Sequence, residues 1–213
     1  MEHTFSIKGV LKQSYGIIKA DFWNIVGKFF LIVLFGIILS AMTGHIFILN
    51  MLVSTLLGMA INVFALSFAE GNDFSFETFA GYLSWKKFFY YFAAALIGGL
   101  MAILGFILLI VPGVLIALRF AFVKYIAVDK NLDPIEILKE SVKMTKGNRG
   151  QIFLFFLLAL LINIGGLICF AVGVLFTFPL TSIAFALVYK KLSGTYQETL
   201  FEEETVEAEI VEA

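Results

Sequence analysis

The sequence predicts an all-α membrane protein whose six transmembrane helices form three hairpins, each preceded by a short amphipathic helix in the membrane interface. Three observations carry this prediction: the composition, the length of the apolar runs and the placement of the basic residues. The chain has 213 residues, of which 61% are hydrophobic and 15% are charged. A soluble domain has about 25% charged residues, so lipid is needed to cover so much apolar surface.

Three long apolar runs give the six predicted crossings. Each is about twice the ~20 residues with which one helix crosses ~30 Å of hydrocarbon; the runs cover 29–69, 88–128 and 152–189. Each contains a break at glycine or proline, at Thr43-Gly44-His45, at Pro112-Gly113, and at Gly165-Gly166 or Gly173. The predicted spans are therefore 24–43, 46–69, 87–108, 112–128, 151–169 and 172–190, within a membrane domain over residues 1–200.

A short amphipathic segment precedes each run, at 5–20, 75–86 and 134–147. In the first segment, apolar residues share one arc of the helix, and the opposite arc carries Lys8, Lys12 and Lys19. In the third, Asp133-Pro134 is a typical helix start, and one side carries Ile135, Leu138, Ser141, Val142 and Thr145. A charged face opposite an apolar face favours a helix that lies in the membrane interface.

The basic residues predict the orientation. Lysine and arginine occur before the first run, between the runs and after the third, whereas the turns inside the runs carry none. Because positive charge stays on the cytoplasmic side, we expect a protein of the cell (inner) membrane with both termini in the cytoplasm. The last residues, 201–213, contain six glutamates and no basic residue, which predicts an acidic disordered tail.

The second and third hairpins share a spacing that predicts a repeat. Gly105, Pro112, Ala117 and Lys124 correspond to Gly173, Pro179, Ala184 and Lys191, with the same intervals after each proline. The unit would be an interfacial helix followed by two spans, occurring three times, and such repeats organise many transporter folds. The alternative is that any protein built of hairpins has spans flanked by lysine.

The candidate functional residues are the polar, proline and glycine positions inside the predicted spans: Arg119, Pro112, Gly113, Asn50, Asn62, Asn163 and Pro179. Arg119 is the one full charge clearly within a span, and an ionisable residue there is a functional candidate. The favoured alternative is that its long side chain snorkels to the cytoplasmic interface, where a headgroup phosphate would be its partner.

The asparagines and prolines have both a structural and a functional interpretation. Asn50, Asn62 and Asn163 would line a substrate path in a transporter, but interhelical hydrogen bonds of about 0.6 kcal/mol each are the favoured explanation. A kink at Pro112 or Pro179 would free backbone carbonyls of the kind that transporters use to hold ions. A turn or packing role is favoured here too, because neighbouring helices can satisfy freed groups.

The sequence contains no arrangement typical of an enzyme. It has no Gly-rich phosphate-binding loop, no metal-ligand spacing and no Ser/His/Asp set. One cysteine and two well-separated histidines exclude an internal disulfide and a His/Cys ligand cluster. We therefore expect no enzymatic activity, no cofactor and no metal.

A set of positions spread over the chain gives a resemblance to a known family. The residues are Ile110-Val111-Pro112-Gly113, Arg119, Asp129, Pro134, Glu140-Ser141, Thr145-Lys146-Gly147, Pro179 and Tyr189. In them the chain resembles bacterial integral membrane proteins similar to the membrane domain found beside some glycerophosphoryl diester phosphodiesterases. The resemblance implies a six-span helical domain. It does not imply phosphodiesterase activity, which a separate soluble domain would carry, and it transfers no catalytic residue.

The sequence favours two functions over a third, a membrane enzyme acting on lipid, for which the spans offer no polar cluster of the kind such chemistry requires. The first is transport or sensing of a small or lipid-like molecule, supported by the repeat, the prolines and Arg119. The second is an accessory or structural membrane protein that binds anionic lipid or a protein partner at the cytoplasmic face. The expected partners are the lipid bilayer with its anionic headgroups, and a second copy or another membrane protein; no nucleic acid is expected.

Overall fold

The computed structural model describes residues 5–43, 46–108, 110–168 and 172–195, and every regular element in these ranges is an α-helix. The all-α class predicted from the sequence is therefore confirmed for this part of the chain. The predicted tail over 201–213 and the turn at Gly44-His45 lie outside the described residues. The helices are α1 (Ile7–Ala20), α2 (Phe22–Thr43), α3 (Phe47–Ala69), α4 (Phe76–Tyr82), α5 (Trp85–Leu108), α6 (Ile110–Arg119), α7 (Val123–Asp129), α8 (Pro134–Thr145), α9 (Arg149–Ile168) and α10 (Val172–Ser193).

Five of these helices, α2, α3, α5, α9 and α10, are long and apolar enough to cross a membrane. They make the chain a membrane protein. The crossing expected over 112–128 is not one helix, because a turn at 120–122 separates α6 from α7. With 10 residues, α6 alone is about 15 Å long, half of a ~30 Å hydrocarbon core.

A glycine lets the two helices of each hairpin approach closely. A Cβ atom on Gly36 of α2 would lie 2.6 Å from a leucine side chain of α3. One on Gly113 of α6 would lie 2.7 Å from a backbone Cα atom of α5, and one on Gly166 of α9 would lie 2.4 Å from Thr177 Oγ1 of α10. Small residues at helix contacts are the usual means of close packing in membranes, and here no larger side chain fits without movement.

The first amphipathic helix, α1, packs one face against the bundle. Ser6 caps its first turn by accepting a hydrogen bond from the backbone amide of Gly9. The buried residues Val10, Ser14 and Ile18 are spaced by one turn each, and α10 is the main helix against which α1 packs. The helix is therefore held by protein contacts along its apolar face.

The second amphipathic segment divides between two helices. Ser75 caps α4 by accepting a hydrogen bond from the Thr78 amide, and α4 ends at Tyr82 after only 7 residues. Trp85, expected near the end of this segment, is instead the first residue of α5. The interfacial helix expected over 75–86 is thus shorter than its sequence pattern indicated.

The third amphipathic helix, α8, buries three residues of the expected face, and Ile137 is buried in place of Ile135. Its buried residues are Ile137, Leu138, Ser141 and Thr145. Ile135, expected on the buried side, is 62% exposed. The Ser141 hydroxyl donates a hydrogen bond of 2.8 Å to the carbonyl of Arg119 at the end of α6, which holds the Ser141 side of α8 against the bundle.

The last helix, α10, lies obliquely across one end of the α2–α3 hairpin. That end is closed by Asp73, whose carboxylate accepts hydrogen bonds from two side chains near the start of α2. Lys190 pairs with Glu70 at the end of α3, while the ring of Phe176 lies 5.9 Å from that of Phe22 at the start of α2. About 21 Å of helix separate residues 176 and 190, so α10 crosses this end. The axis of α10 is therefore inclined to those of α2 and α3.

Candidate functional site

The three candidate asparagines lie at three different helix contacts. The Asn50 side chain of α3 accepts a hydrogen bond of 3.3 Å from a serine of α2. Asn62 of α3 donates to the hydroxyl of Tyr91 of α5 at 2.9 Å. Asn163 of α9 donates to Thr181 Oγ1 of α10 at 3.1 Å. Each amide joins a different pair of helices, so the structure does not bring the three together along one path.

Arg119 is the last residue of α6, and its side chain is exposed. Among the residues that the structure describes, no salt bridge involves its guanidinium. The turn at 120–122 interrupts the helical hydrogen bonding, so the backbone carbonyl of Arg119 lacks a donor within the helix. The Ser141 hydroxyl donates a hydrogen bond to this carbonyl instead. The exposed side chain is the geometry that snorkelling requires.

The candidate prolines occupy two different helical environments. Pro112 is the third residue of α6, where a missing N–H costs no helical hydrogen bond. Gly113 follows it at the close contact with α5. Pro179 is buried inside α10, and its missing N–H leaves the carbonyl of Leu175 without its helical donor. Pro112 thus starts a helix, whereas Pro179 weakens the hydrogen bonding within one.

A polar junction, formed by Glu70, Asp129, Tyr189 and Lys190, joins the ends of three helices. Glu70 is the C-cap of α3, Asp129 ends α7, and the other two residues are near the end of α10. The Lys190 ammonium lies 3.1 Å from Asp129 Oδ1 and also pairs with the Glu70 carboxylate. The Tyr189 hydroxyl donates to Asp129 Oδ2 at 2.6 Å. These contacts connect α3, α7 and α10.

The junction is largely removed from solvent. The side chain of Lys190 is 9% exposed, and those of Asp129 and Glu70 are 18% and 28% exposed. The ring of Tyr125 in α7 stacks on that of Tyr189 at 5.8 Å and 19°, which covers one side. Breaking a buried ion pair leaves an uncompensated charge, so these groups depend on one another.

A further tyrosine faces the junction from α4. Burial, and after it the negative charges of Glu70 and Asp129, raises the pKa of Tyr82 above its usual value. The junction therefore combines two carboxylates, one ammonium and phenol groups. Across the described ranges, no three Asp, Glu, His or Cys side chains are placed to hold a metal ion. The chemistry available to the junction is that of an ionic and hydrogen-bonded clamp.

None of the four junction residues was among the candidates from the sequence. The sequence does contain one indication of them: a charged residue stands directly after the apolar stretch that ends α3, α7 and α10. These residues are Glu70, Asp129 and Lys190. The repeat spacing instead aligned Lys124 with Lys191, and Lys124 is exposed. The contacts of Asp129 join residues 60 and 61 positions apart, and Lys190 and Glu70 are farther apart still, which local spacing does not indicate.

The exposed face of α1 carries a second polar feature, which we name the basic stripe: Lys8, Lys12, Tyr15 and Lys19. Their spacing of four, three and four residues places them in one row of a helix, about 16 Å long. All four are exposed, and α1 contains no acidic residue. Within the described chain, none of the three lysines forms a salt bridge. The stripe is thus a purely cationic surface.

Comparison with known proteins finds similarity to uncharacterized mycobacterial proteins. An uncharacterized protein of Mycobacterium bovis is 32% identical over 95 residues, which is 44% of this chain and 29% of the relative. An uncharacterized protein of Mycobacterium tuberculosis is 32% identical over 103 residues, 48% of this chain and again 29% of the relative. The chain thus spans less than a third of the length of these relatives. No family model matches the chain, and no solved structure matches it.

Proposed function

We propose that the chain is a non-enzymatic, multi-pass protein of the cell membrane that acts as an accessory or structural component and binds anionic lipid headgroups at its cytoplasmic face. The observation that carries this proposal is the basic stripe of α1. The apolar face of α1 is buried against α10, so the lysines point away from the protein. Each lysine near an anionic leaflet contributes about 1 kcal/mol of attraction.

The topology is part of the proposal. Five helices have the length of a crossing, and α6 with α7 would supply the sixth, since together they cover residues 110–129. Six crossings place both termini on one side, and the distribution of lysine and arginine supports the cytoplasm as that side. The resemblance to the membrane domain beside glycerophosphoryl diester phosphodiesterases supports the same count.

The lipid proposal is tested on the purified full chain. We expect native mass spectrometry to find more retained phosphatidylglycerol than phosphatidylcholine after purification from an equal mixture. The triple variant Lys8→Gln, Lys12→Gln, Lys19→Gln should lose this preference because the cationic surface is gone. The matched control removes three exposed lysines in and directly after α8, Lys139, Lys143 and Lys146, and should retain the preference. Equal retention of the two lipids by the unmodified chain contradicts the proposal.

Transport or sensing of a small or lipid-like molecule is the second candidate function. It is favoured by the break between α6 and α7 beside Arg119, because discontinuous helices form binding sites in transporters. It ranks second because the Arg119 carbonyl at the break is already bonded by Ser141 and the asparagines lie at separate contacts. Solute or lipid movement in proteoliposomes that falls in Arg119→Gln would support it; no movement with the unmodified chain would contradict it.

A further inference from the structure

A groove of about 460 Å³ lies at the corner where α1 ends and α2 begins. It is lined by Tyr15 and Lys19 of α1, Phe22 of α2 and Phe176 of α10. The groove is shallow and open on its outer side, so a molecule in it would remain in contact with its surroundings. The groove exists because α10 crosses the end of the α2–α3 hairpin and brings Phe176 against the start of α2.

The lining divides into an apolar floor and a cationic rim. The rings of Phe22 and Phe176 lie 5.9 Å apart and form the floor. Lys19 and Tyr15 form the rim and are the last two members of the basic stripe. The groove therefore matches a molecule with a negatively charged polar end and an apolar remainder.

The position of the groove also fits a lipid. The start of α2 is a candidate span in which the polar residues Asn24 and Lys28 follow Phe22 within two turns, so the groove lies in the boundary region between the polar surface and the apolar core. Trp23 packs edge-on against Phe22 at 5.3 Å and is 84% exposed. Tryptophan in such a position is typical of the membrane–water interface.

We propose that this groove binds one anionic phospholipid, with the phosphate at Lys19 and Tyr15 and the upper part of an acyl chain on Phe22 and Phe176. The inference rests on the proposed function, since it assigns a site to the lipid that the basic stripe attracts. Lys8 and Lys12 supply long-range attraction along the stripe, whereas Lys19 touches the bound lipid. A phosphatidylcholine has the same chains but no net charge, so the stripe selects against it.

The test uses the tryptophan beside the groove as a reporter. The chain has two tryptophans, and Trp85→Phe leaves Trp23. This variant is reconstituted in phosphatidylcholine vesicles that contain small fractions of brominated phosphatidylglycerol or brominated phosphatidylcholine, whose bromines quench tryptophan on contact. We expect phosphatidylglycerol to quench Trp23 at lower mole fraction. Adding Lys19→Gln should reduce the ratio of the two apparent affinities about fivefold, the effect of one lysine.

Lys8→Gln is the matched control, because it removes an equal charge about 16 Å away along the same helix. It should reduce the ratio less than twofold. Equal effects of Lys8→Gln and Lys19→Gln, or equal quenching by both lipids, would overturn the groove as the site. In either case, phosphatidylglycerol retained in the mass spectrometric experiment would leave the proposed function standing. Displacement of the brominated lipid by soluble glycerol phosphate would also overturn the inference, since the groove would then bind phosphate without the chain.

Discussion

The ammonium of Lys190 lies 3.1 Å from Asp129 Oδ1, and the hydroxyl of the neighbouring Tyr189 lies 2.6 Å from Oδ2 of the same carboxylate. One carboxylate at the end of α7 therefore holds two consecutive residues of α10. The same ammonium pairs with Glu70 at the end of α3. Lys190 of α10 thus ties the ends of α3 and α7 together at one point.

Removing the ammonium should destabilise the chain strongly. Lys190→Met leaves Asp129 and Glu70 partly buried without a cation, and we expect a loss of about 3 kcal/mol in the free energy of unfolding, at the low end for a broken buried pair. The measurement is unfolding by denaturing detergent in mixed micelles. The triple variant that also carries Asp129→Asn and Glu70→Gln should recover most of the loss, because no unpaired charge remains.

The Lys28–Asp73 pair provides the control for this prediction. Its side chains are 29% and 58% exposed, and such a surface pair contributes only about 0–1 kcal/mol. Lys28→Met should therefore have a small effect. If Lys190→Met costs no more than Lys28→Met, the polar junction does not hold the hairpins together.

The positions of the long helices were predictable because the bilayer fixes their length. The spans predicted at 46–69 and 151–169 correspond to α3 at Phe47–Ala69 and α9 at Arg149–Ile168. The turn at 120–122 was not predictable, because residues 120–122 are Phe-Ala-Phe and contain no glycine or proline. The carbonyl left at the turn is satisfied by the hydroxyl of Ser141 in α8, which is a tertiary contact.

The close packing of the third hairpin gives a prediction with an internal control. A Cβ atom at Gly166 would lie 2.4 Å from Thr177 Oγ1 and 3.0 Å from the backbone of Gly173, whereas one at Gly165 meets nothing within 4 Å. Gly166→Ala should destabilise by about 1–3 kcal/mol through overpacking. Gly165→Ala should stabilise by about 0.5–1 kcal/mol, as alanine does in an open helical position. Equal effects on unfolding would show that α9 and α10 are not in this contact.

The candidate site was only partly predictable from the sequence. The favoured interpretation was that Asn62 and Asn163 make interhelical hydrogen bonds, because a polar group in lipid must find a partner. Their partners, Tyr91 and Thr181, depend on how the helices pack and were not predictable. The junction was not predictable from the sequence, because Glu70 and Lys190 are charged residues at helix ends, where charged residues are common. Only their contact in the structure distinguishes them from other such residues.

The contact between α8 and α6 predicts that the Ser141 side chain contributes more to the free energy of unfolding than the Arg119 side chain does. Ser141→Ala removes the donor to the Arg119 carbonyl, and because this carbonyl is only partly buried we expect a cost of about 1 kcal/mol, the low end for an unsatisfied group. Arg119→Gln keeps that carbonyl and changes only an exposed side chain, so its effect should stay within about 0.5 kcal/mol. Thermal unfolding in detergent measures both. A larger loss in Arg119→Gln would mean that the guanidinium, not the backbone, has the stabilising contact.

Glu140 of α8 should make stability depend on pH. Lys130 donates a hydrogen bond of 2.9 Å to its carboxylate, and this bond lowers the pKa of Glu140 below the ordinary value of 4.5. The pKa of Glu140 is therefore lower in the folded state than in the unfolded state. The stabilisation is fully present above the unfolded-state pKa and is lost as the pH falls through the folded-state pKa. We therefore expect Glu140→Gln to lower the melting temperature at about pH 7, and to lower it progressively less as the pH falls below the ordinary value of 4.5. Glu136→Gln, at an exposed position on the same helix, is the control and should have little effect across this pH range. A difference that persists in acid would show that the stabilisation does not come from the carboxylate.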